Sequence, residues 1–184
     1  PDGQTIAFEY KGDIYTVPVA GGEAHRLTTR SSYEEKPVWS PDSKKIAFAS
    51  DRHGNSDIYI MDATGGKATR LTSNSATEYP EAFSPDGKEV YFSAAIQAPS
   101  KSAMFPSGRM TQLYTVPVDG GSIKQILGTP AQALSFAPDG SFMLYTDKKG
   151  FEDEWRKHHT SSVSRDIWRY DFATGQHKNI TDRP

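Results

Sequence analysis

The chain has 184 residues, no cysteine and a formal net charge of −2 at neutral pH. Without cysteine it forms neither a disulfide nor a cysteine-ligated metal site, and the near-neutral charge gives no general reason to expect nucleic acid as a partner. Hydrophobic residues make up 35% of the chain and aromatic residues 11%, which favours β-strands, and no apolar run approaches the roughly 20 residues that insertion in a membrane needs.

The first predicted elements are two strands that follow a tight turn. The chain opens on the turn sequence PDG at Pro1, continues with the apolar run IAF, and then reaches the Tyr- and Val-rich run DIYTVPV from Asp13. The glycine pair Gly21 and Gly22 and the short run HRLT follow. Because a natural N terminus rarely begins inside a turn, we expect that a further segment precedes Pro1 in the full protein.

The same succession of elements recurs three times along the chain. The prolyl turn and its apolar run read SPDSKKIAF from Ser40, SPDGKEVYF from Ser84 and APDGSFMLY from Ala137. In every copy the third and fourth strands are separated by the same spacing of 15 residues, from Asp13 to Thr28, Asp57 to Thr72, Gln112 to Leu127 and Asp166 to Thr181. Four short strands in about 40–45 residues, repeated, are typical of a propeller blade. The sequence therefore predicts an all-β fold, a β-propeller of four-stranded antiparallel blades.

We expect about four blades, approximately at residues 1–28, 29–72, 73–127 and 128–184. The runs KPVWS, YPEAFS and QALSF stand before the last three prolyl turns, and we interpret them as the innermost strands. The first blade has no such run. Since propellers commonly have four to eight closed blades, the sequence predicts a partial propeller that belongs to a larger one.

Only one connection varies in length, the one between the second and third strands of each blade. It is long in the last two blades, as the inserts Ala95–Arg109 and Asp147–Ser164. In a propeller this connection lies on the same rim as the connections between blades, whereas the prolyl and diglycine turns lie on the other rim. We therefore expect both inserts on one rim of adjacent blades, where variable loops on a rigid scaffold often bind partners.

The second insert carries the densest set of polar side chains, in the stretch GFEDEWRKHHTSSVSRDIW from Gly150 to Trp168. Its two histidines are adjacent, and adjacent side chains in an extended chain point apart, so we assign no metal. Its serines lack the G-x-S-x-G elbow of a nucleophile, so we assign no catalytic residue, and we expect no cofactor.

Two interpretations of this insert stay open. In one, it is an ordered structural loop in which Trp155 packs on a neighbouring insert and the acidic residues pair with Arg156 and Lys157. In the other, it contacts a substrate peptide or another domain, because guanidinium groups suit the recognition of carboxylates. The candidate contact residues are Arg109, Trp155, Arg156, Lys157, His158 and His159.

The repeated pattern SPDGK-x-IAF, DIY, GG and RLT resembles the TolB-type propeller repeat in all four copies. The segments KGDIYTVPVAGGEAHRLT, FASDRHGNSDIYIM, FPSGRMTQLYTVPVDGG and the second insert resemble the N-terminal propeller of bacterial tricorn-protease homologues. Those proteins are usually exported serine peptidases with propeller, PDZ and peptidase domains. No catalytic residue of that family falls on a position of this chain.

This resemblance implies a non-catalytic propeller domain that admits or orients peptide substrates and contacts other domains of the same chain. It also implies a periplasmic or extracellular location, and it leaves room for a homo-oligomer of the full-length protein. One alternative is a TolB-like periplasmic scaffold that binds a protein partner. Another is a propeller enzyme such as a metal-dependent polysaccharide lyase, which needs convergent histidines, but the five histidines here fall at dissimilar repeat positions.

Overall fold

The computed structural model describes residues 1–96, 110–148 and 164–181. Every regular element in these ranges is a β-strand, and the strands form four antiparallel sheets. Within the same ranges, no helix is long and apolar enough to cross a membrane. The all-β prediction is therefore confirmed.

The strands of each sheet follow one another in chain order, with each strand beside the next. The first sheet contains β1 (Thr5–Tyr10), β2 (Asp13–Pro18) and β3 (His25–Arg26). The second contains β4 (Glu34–Trp39), β5 (Lys45–Ser50), β6 (Asp57–Asp62) and β7 (Thr69–Arg70). The third contains β8 (Glu78–Phe83), β9 (Glu89–Ala94), β10 (Gln112–Pro117) and β11 (Lys124–Leu127). The fourth contains β12 (Gln132–Phe136), β13 (Phe142–Thr146), β14 (Ile167–Asp171) and β15 (His177–Asn179).

This arrangement is that of four consecutive propeller blades. The first sheet has three strands and lacks an inner strand, as predicted, and the other three sheets have four strands each. The strands β1, β4, β8 and β12 are the innermost of their sheets and neighbour one another in that order. The residue numbers at which one blade gives way to the next stay a prediction.

The prolyl turns owe their shape to a side-chain hydrogen-bond pattern that repeats between blades. In the second sheet, the Asp42 carboxylate accepts hydrogen bonds from the Ser40 hydroxyl at 2.7 Å and from the Lys44 amide at 3.1 Å. The third sheet has the same bonds from Ser84 and Lys88 to Asp86, at 2.6 and 3.1 Å. These donors stabilise the charged carboxylate and lower the pKa of both aspartates.

The hydrophobic cores lie between neighbouring sheets rather than within one. Two of the three cores contain a ring pair contributed by the second and third strands of a blade, Phe48 with Tyr59 and Phe92 with Tyr114, whose ring centroids are 6.0 and 5.6 Å apart. These rings face the preceding sheet, where Ile14 and Ile58 are fully buried. A blade therefore depends on its neighbours to bury its faces, as in other repeat proteins.

The outer faces of the first and fourth sheets have no neighbouring sheet among the described residues, and apolar side chains there are exposed. Ile6 occupies the repeat position of Ile46, but Ile6 is 49% exposed and Ile46 is fully buried. At the other end, Ile167 occupies the repeat position of Ile58, and their exposures are 40% and 0%. The same repeat positions are thus core between blades and surface at both ends.

The inner strands contain a bulge that the sequence pattern does not predict. Lys36 in β4 and Ala133 in β12 have the positive φ angles of 53° and 51°, and the pairing register shifts at both places. The bulge turns each backbone amide outwards from the ladder. The Lys36 amide donates to the Glu9 carboxylate at 2.8 Å, and the Ala133 amide donates to the Glu81 carboxylate at 3.1 Å.

Candidate functional site

Backbone hydrogen bonds divide the connections between two rims. The Glu34 amide donates to the Gly12 carbonyl at 2.9 Å and the Asp51 amide to the Tyr33 carbonyl at 3.2 Å, which joins second-to-third-strand connections to the connections between sheets. On the opposite rim, the Ala63 amide donates to the Lys44 carbonyl at 2.8 Å, which joins a glycine turn to a prolyl turn. We call the rim that carries the second-to-third-strand connections the insert rim.

Both inserts leave from the insert rim. The first begins after Ala94, which pairs with Gln112 where the chain returns, and the second begins after Thr146, which pairs with Ile167. Because these two pairs end the ladders of adjacent sheets at the same rim, the predicted placement of the insert roots agrees with the structure.

The residues predicted from the sequence to contact a peptide or another domain lie outside the described residues. Their role stays a prediction for that reason. They are Arg109, Trp155, Arg156, Lys157, His158 and His159.

The described part of the insert rim contains three junctions between sheets, and the first is held by charged groups. The Arg26 guanidinium lies 2.6 Å from the Asp13 carboxylate. The fully buried Glu34 side chain pairs with Arg52, whose own side chain is only 9% exposed. The Arg52 guanidinium also lies 4.3 Å from the ring centroid of Tyr59, so it fills the space between the two sheets.

The second junction repeats the same chemistry with different partners. The Arg70 guanidinium lies 2.7 Å from the Asp57 carboxylate, and the Asn74 amide donates to Glu78 at 2.9 Å. Asp57 and Glu78 are fully buried. Their removal from water raises the pKa of both carboxyl groups, although Arg70 opposes this shift.

The third junction lacks this network because its residues are different. Alanine replaces the buried glutamate of the other junctions, since Ala131 occupies the position of Glu34 and Glu78. Gln112 stands at the position of Asp13 and Asp57, and Gln125 stands at the position of Arg26 and Arg70. Leu127 stands at the position of Thr28 and Thr72, so none of these three residues carries a charge.

A cavity of about 400 Å³ opens at this third junction. It lies between the roots of the two inserts, and most of its wall is apolar. The described residues that line it are Met110, Thr129, Pro130, Tyr145, Asp147, Lys148, Trp168 and His177.

Hydrogen bonds fix the aromatic side chains of this cavity. The Trp168 indole N–H donates to one Asp147 oxygen at 3.1 Å, and the Asp166 amide donates to the other at 2.8 Å. The Tyr145 hydroxyl is 2.8 Å from Nδ1 of His177, and burial raises the pKa of Tyr145 to about 12. The polar ends of both rings are thus engaged, while the rings themselves line the cavity.

Sequence reasoning did not find this cavity. Its largest ring, Trp168, packs against a core cluster that contains Leu113 and Leu127 of the third sheet. The signal for the cavity was the alanine at a position where two other copies have glutamate. Among the described residues, no group of three or more histidine, aspartate or glutamate side chains is arranged to hold a metal ion.

Comparison with known proteins gives relatives of two kinds. Over 99% of its length, the chain resembles the structure of putative TolB from Agrobacterium tumefaciens, with 26% identity and a TM-score of 0.72, and it covers 62% of that chain. It also resembles the crystal structure of the tricorn protease over its whole length, with 24% identity and a TM-score of 0.74, and it covers 18% of that chain.

A curated relative matches over a shorter stretch. It is the uncharacterized peptidase YuxL of Bacillus subtilis (strain 168), which is 43% identical over 51 residues, corresponding to 25% of this chain and 8% of the relative. The chain thus spans less than two thirds of the length of each of these proteins.

The family match covers nearly every residue. The family described as the tricorn protease N-terminal β-propeller domain matches residues 2–184, which include all four sheets and both inserts. The repeat pattern, the sheet topology and this match agree. The chain therefore belongs to the tricorn protease N-terminal β-propeller domain family.

Proposed function

We propose that the chain is a non-catalytic propeller domain of an exported, tricorn-like serine peptidase, in which it admits or orients peptide substrates and contacts other domains. The observation that carries the proposal is the insert rim. Both long connections leave from it, and the cavity at the third junction lies between their roots. A rigid scaffold that concentrates its variable loops on one rim is suited to binding.

The proposal draws further support from the family match and from the short match to an uncharacterized peptidase. In this function the partners are peptides or other domains of the same protein, and the full-length protein acts in the periplasm or outside the cell. Fractionation of cells that express the full-length protein tests this location, and recovery only in the cytoplasm would contradict it.

The experiment for the peptidase role compares the 184-residue chain with the full-length protein. We expect the chain alone to leave peptides intact and the full-length protein to hydrolyse them. Hydrolysis by the purified chain alone would show that a catalytic group lies within it. Absence of peptidase activity from the full-length protein would contradict the peptidase role.

A second candidate function is a TolB-like scaffold that binds a protein partner. The likeness to the putative TolB from Agrobacterium tumefaciens, at 26% identity over 99% of the chain, favours it. The two functions differ in what the full-length protein does to a bound peptide. A scaffold holds it intact, whereas a peptidase releases fragments.

The candidate contact residues of the second insert give a sharper test. In the full-length peptidase, Arg156→Ala together with Lys157→Ala should raise KM for peptides about tenfold at unchanged kcat, because these cations would bind ground state and transition state alike. The matched control is Lys44→Ala with Lys67→Ala, which removes two exposed cations from the opposite rim. An unchanged KM would leave these two residues only a structural role.

A further inference from the structure

We propose that the first junction of the insert rim binds the side-chain carboxylate of an aspartate or glutamate in a peptide, with the Arg30 guanidinium as the principal contact. This inference rests on the proposed function, because it names a class of peptide that the insert rim takes. It is carried by the comparison of the first two junctions, by the cavity beside Arg30 and by the charges around that cavity.

Arg30 is left without a partner because the first junction satisfies its buried glutamate in another way. Arg30 and Asn74 stand at the same repeat position, four residues before the buried glutamate of each junction. At the second junction, the Asn74 amide donates to Glu78 at 2.9 Å. At the first, Arg52 is the ion-pair partner of Glu34, and Arg30 forms no ion pair or hydrogen bond with a described residue.

The cause of this difference lies just beyond the second strand of the following sheet. Arg52 and Ile96 stand at the same repeat position, two residues after the ends of β5 and β9. Isoleucine offers no donor to a buried glutamate, so Asn74 supplies one at the second junction. Arg52 supplies it at the first junction, and Arg30 is exposed instead.

A polar cavity of about 550 Å³ lies beside Arg30. The described residues that line it are Arg30, Ser31, Ser32, Asp51 and Arg52. Arg30 and Ser31 are exposed, so they can meet a ligand that arrives from solvent. The Arg52 side chain is only 9% exposed and forms the recessed part of the wall.

Arg52 has donors left for a ligand although it is ion-paired. A guanidinium carries five N–H donors on three nitrogens. Arg52 uses Nη2 for Glu34 and Nε for the Ser50 hydroxyl, the latter at 2.9 Å, and its Nη1 donates to no described residue. Arg30 thus supplies the unpaired charge, and Nη1 of Arg52 is a second donor on the same wall.

The charge near the Tyr59 ring is positive by one unit. Burial raises the pKa of the Tyr59 hydroxyl. Three cations oppose this shift, namely Arg70, Arg52 and Arg30. Arg70 and Arg52 each pair with a buried carboxylate, whereas Arg30 pairs with none of the described ones. One positive charge is therefore left over beside the cavity, where it favours an anionic ligand.

Asp51 limits how much negative charge the cavity accepts. It is the one carboxylate among the described residues of the wall. It accepts a hydrogen bond from the Tyr33 amide at 2.7 Å, and it adds to the rise that burial causes in the pKa of Glu35. Its charge thus acts on the β4 side of the junction, whereas Arg30 acts on the Tyr59 side. This balance favours a singly charged carboxylate over a doubly charged phosphate.

The polarity of the wall favours a side-chain carboxylate over the end of a peptide. A chain end brings the side chain of its last residue with it, and the described wall contains no apolar side chain to receive one. Aspartate and glutamate carry the carboxylate on one or two methylene groups, so it can enter the cavity while the main chain stays on the rim. Guanidinium groups suit this contact because their N–H donors match both carboxylate oxygens.

The binding experiment uses the full-length protein after treatment with a covalent serine-directed inhibitor, which prevents hydrolysis of the probes. The two main probes are N-acetyl-Ala-Ala-Glu-Ala-Ala amide and N-acetyl-Ala-Ala-Gln-Ala-Ala amide, which differ only in one charge. Calorimetric titration should give about fivefold tighter binding of the glutamate probe, as expected for one solvent-exposed ion pair. Equal binding of the two probes, or binding of neither, would overturn the proposal.

A pair of variants assigns this preference to the first junction. Arg30→Asn introduces the residue type that the second junction has at this position, and it should abolish the preference while binding of the glutamine probe changes little. The matched control is Lys67→Asn, which removes an exposed cation beside a cavity on the opposite rim and should keep the preference. Thermal unfolding verifies that both variants are folded. If Arg30→Asn keeps the preference, Arg30 is not the contact.

Charge reversal separates direct contact from a structural effect. In Arg30→Glu, a probe with a central lysine should bind more tightly than the glutamate probe. An equal loss of affinity for both probes would contradict direct contact.

A fifth probe, N-acetyl-penta-alanine with a free C-terminal carboxylate, tests the assignment to a side chain. It should bind equally to the wild type and to Arg30→Asn. Weaker binding of this probe to the variant would show that the site takes a chain end, and the assignment to an acidic side chain would be wrong.

The outcomes separate this inference from the proposed function. If the preference for glutamate depends on Arg30 but the full-length protein never hydrolyses peptides, the carboxylate site stands and the peptidase role fails. If the protein is a peptidase and Arg30→Asn alters neither binding nor KM for peptides that contain glutamate, the site fails and the peptidase role stands.

Discussion

Single residues in the prolyl turns carry a conformational cost that differs between copies. Ser43 has a φ of 59°, whereas glycine occupies the corresponding positions as Gly3, Gly87 and Gly140, at φ angles of 71–72°. The left-handed region costs a residue with a Cβ roughly 1–2 kcal/mol, and glycine avoids this cost. The second blade thus keeps the turn although its residue is unfavourable for it.

This difference predicts a stabilising substitution. Ser43→Gly should raise the free energy of unfolding by about 0.5 kcal/mol, since relief of the backbone strain outweighs the larger unfolded-state entropy of glycine. Urea denaturation measures it. Gly87→Ala is the reverse control and should destabilise, because its added Cβ meets only an ordinary 3.7 Å contact with Pro41 and the strain lies in the backbone. A less stable Ser43→Gly variant would contradict the prediction.

At the scale of the elements, two buried glutamates at the starts of β4 and β8 differ in their partners. Each has one carboxylate oxygen without a hydrogen-bond partner, but Glu34 pairs with the Arg52 cation, whereas Glu78 accepts a hydrogen bond from the neutral Asn74 amide. Burial raises the pKa of Glu78. The same repeat position is therefore expected to respond in opposite ways to loss of its charge.

Glu34→Gln should destabilise the protein by about 3 kcal/mol, because it leaves the Arg52 guanidinium buried without its counterion. Glu78→Gln should stabilise it by about 1 kcal/mol at pH 7, because a neutral amide avoids the burial of a charge. Denaturation of both variants at pH 7 measures this contrast. A loss of stability in both variants would contradict the assignment for Glu78.

The pH dependence follows from the raised pKa of Glu78. The folded state binds the Glu78 proton more tightly than the unfolded state, so this group stabilises the fold at low pH and loses that contribution as the pH rises above the ordinary value of 4.5. The advantage of Glu78→Gln should therefore disappear when the pH falls below this value. An advantage that grows towards low pH would contradict the direction of the shift.

How much of this could be predicted depends on whether a feature repeats. The strands and their order were predictable, because turn residues such as Asp86 and Gly87 and apolar runs recur at fixed spacing in each copy. The bulge at Lys36 was not, since nothing in its sequence requires a positive φ. The cavity was not found either, because it arises where Ala131 replaces the glutamate of two other copies and where side chains meet only in three dimensions.

At the scale of the whole molecule, stability should fall off towards the two outer faces of the array. In the 184-residue chain, Ile46→Ala should cost about 3 kcal/mol because it opens a cavity in the core of the first junction. Ile6→Ala, at the corresponding position, should cost less than about 1 kcal/mol because Ile6 is 49% exposed. Urea denaturation of the two variants measures the difference. Equal costs would show that the first face is covered in solution.

The same pair of variants also tests the partial propeller. If a further blade packs on the first sheet in the full-length protein, Ile6→Ala becomes a core substitution there, and its cost approaches that of Ile46→Ala. If its cost stays below about 1 kcal/mol, the first face is open in that protein too.

The pairs Ala94 with Gln112 and Thr146 with Ile167 close each long connection at its base. Within the described residues, the strand ladders of the third and fourth sheets end at these pairs. A change in the length or sequence of either connection therefore leaves the strand pairing at its base in place, and we expect such a change to alter what the rim binds without loss of the fold.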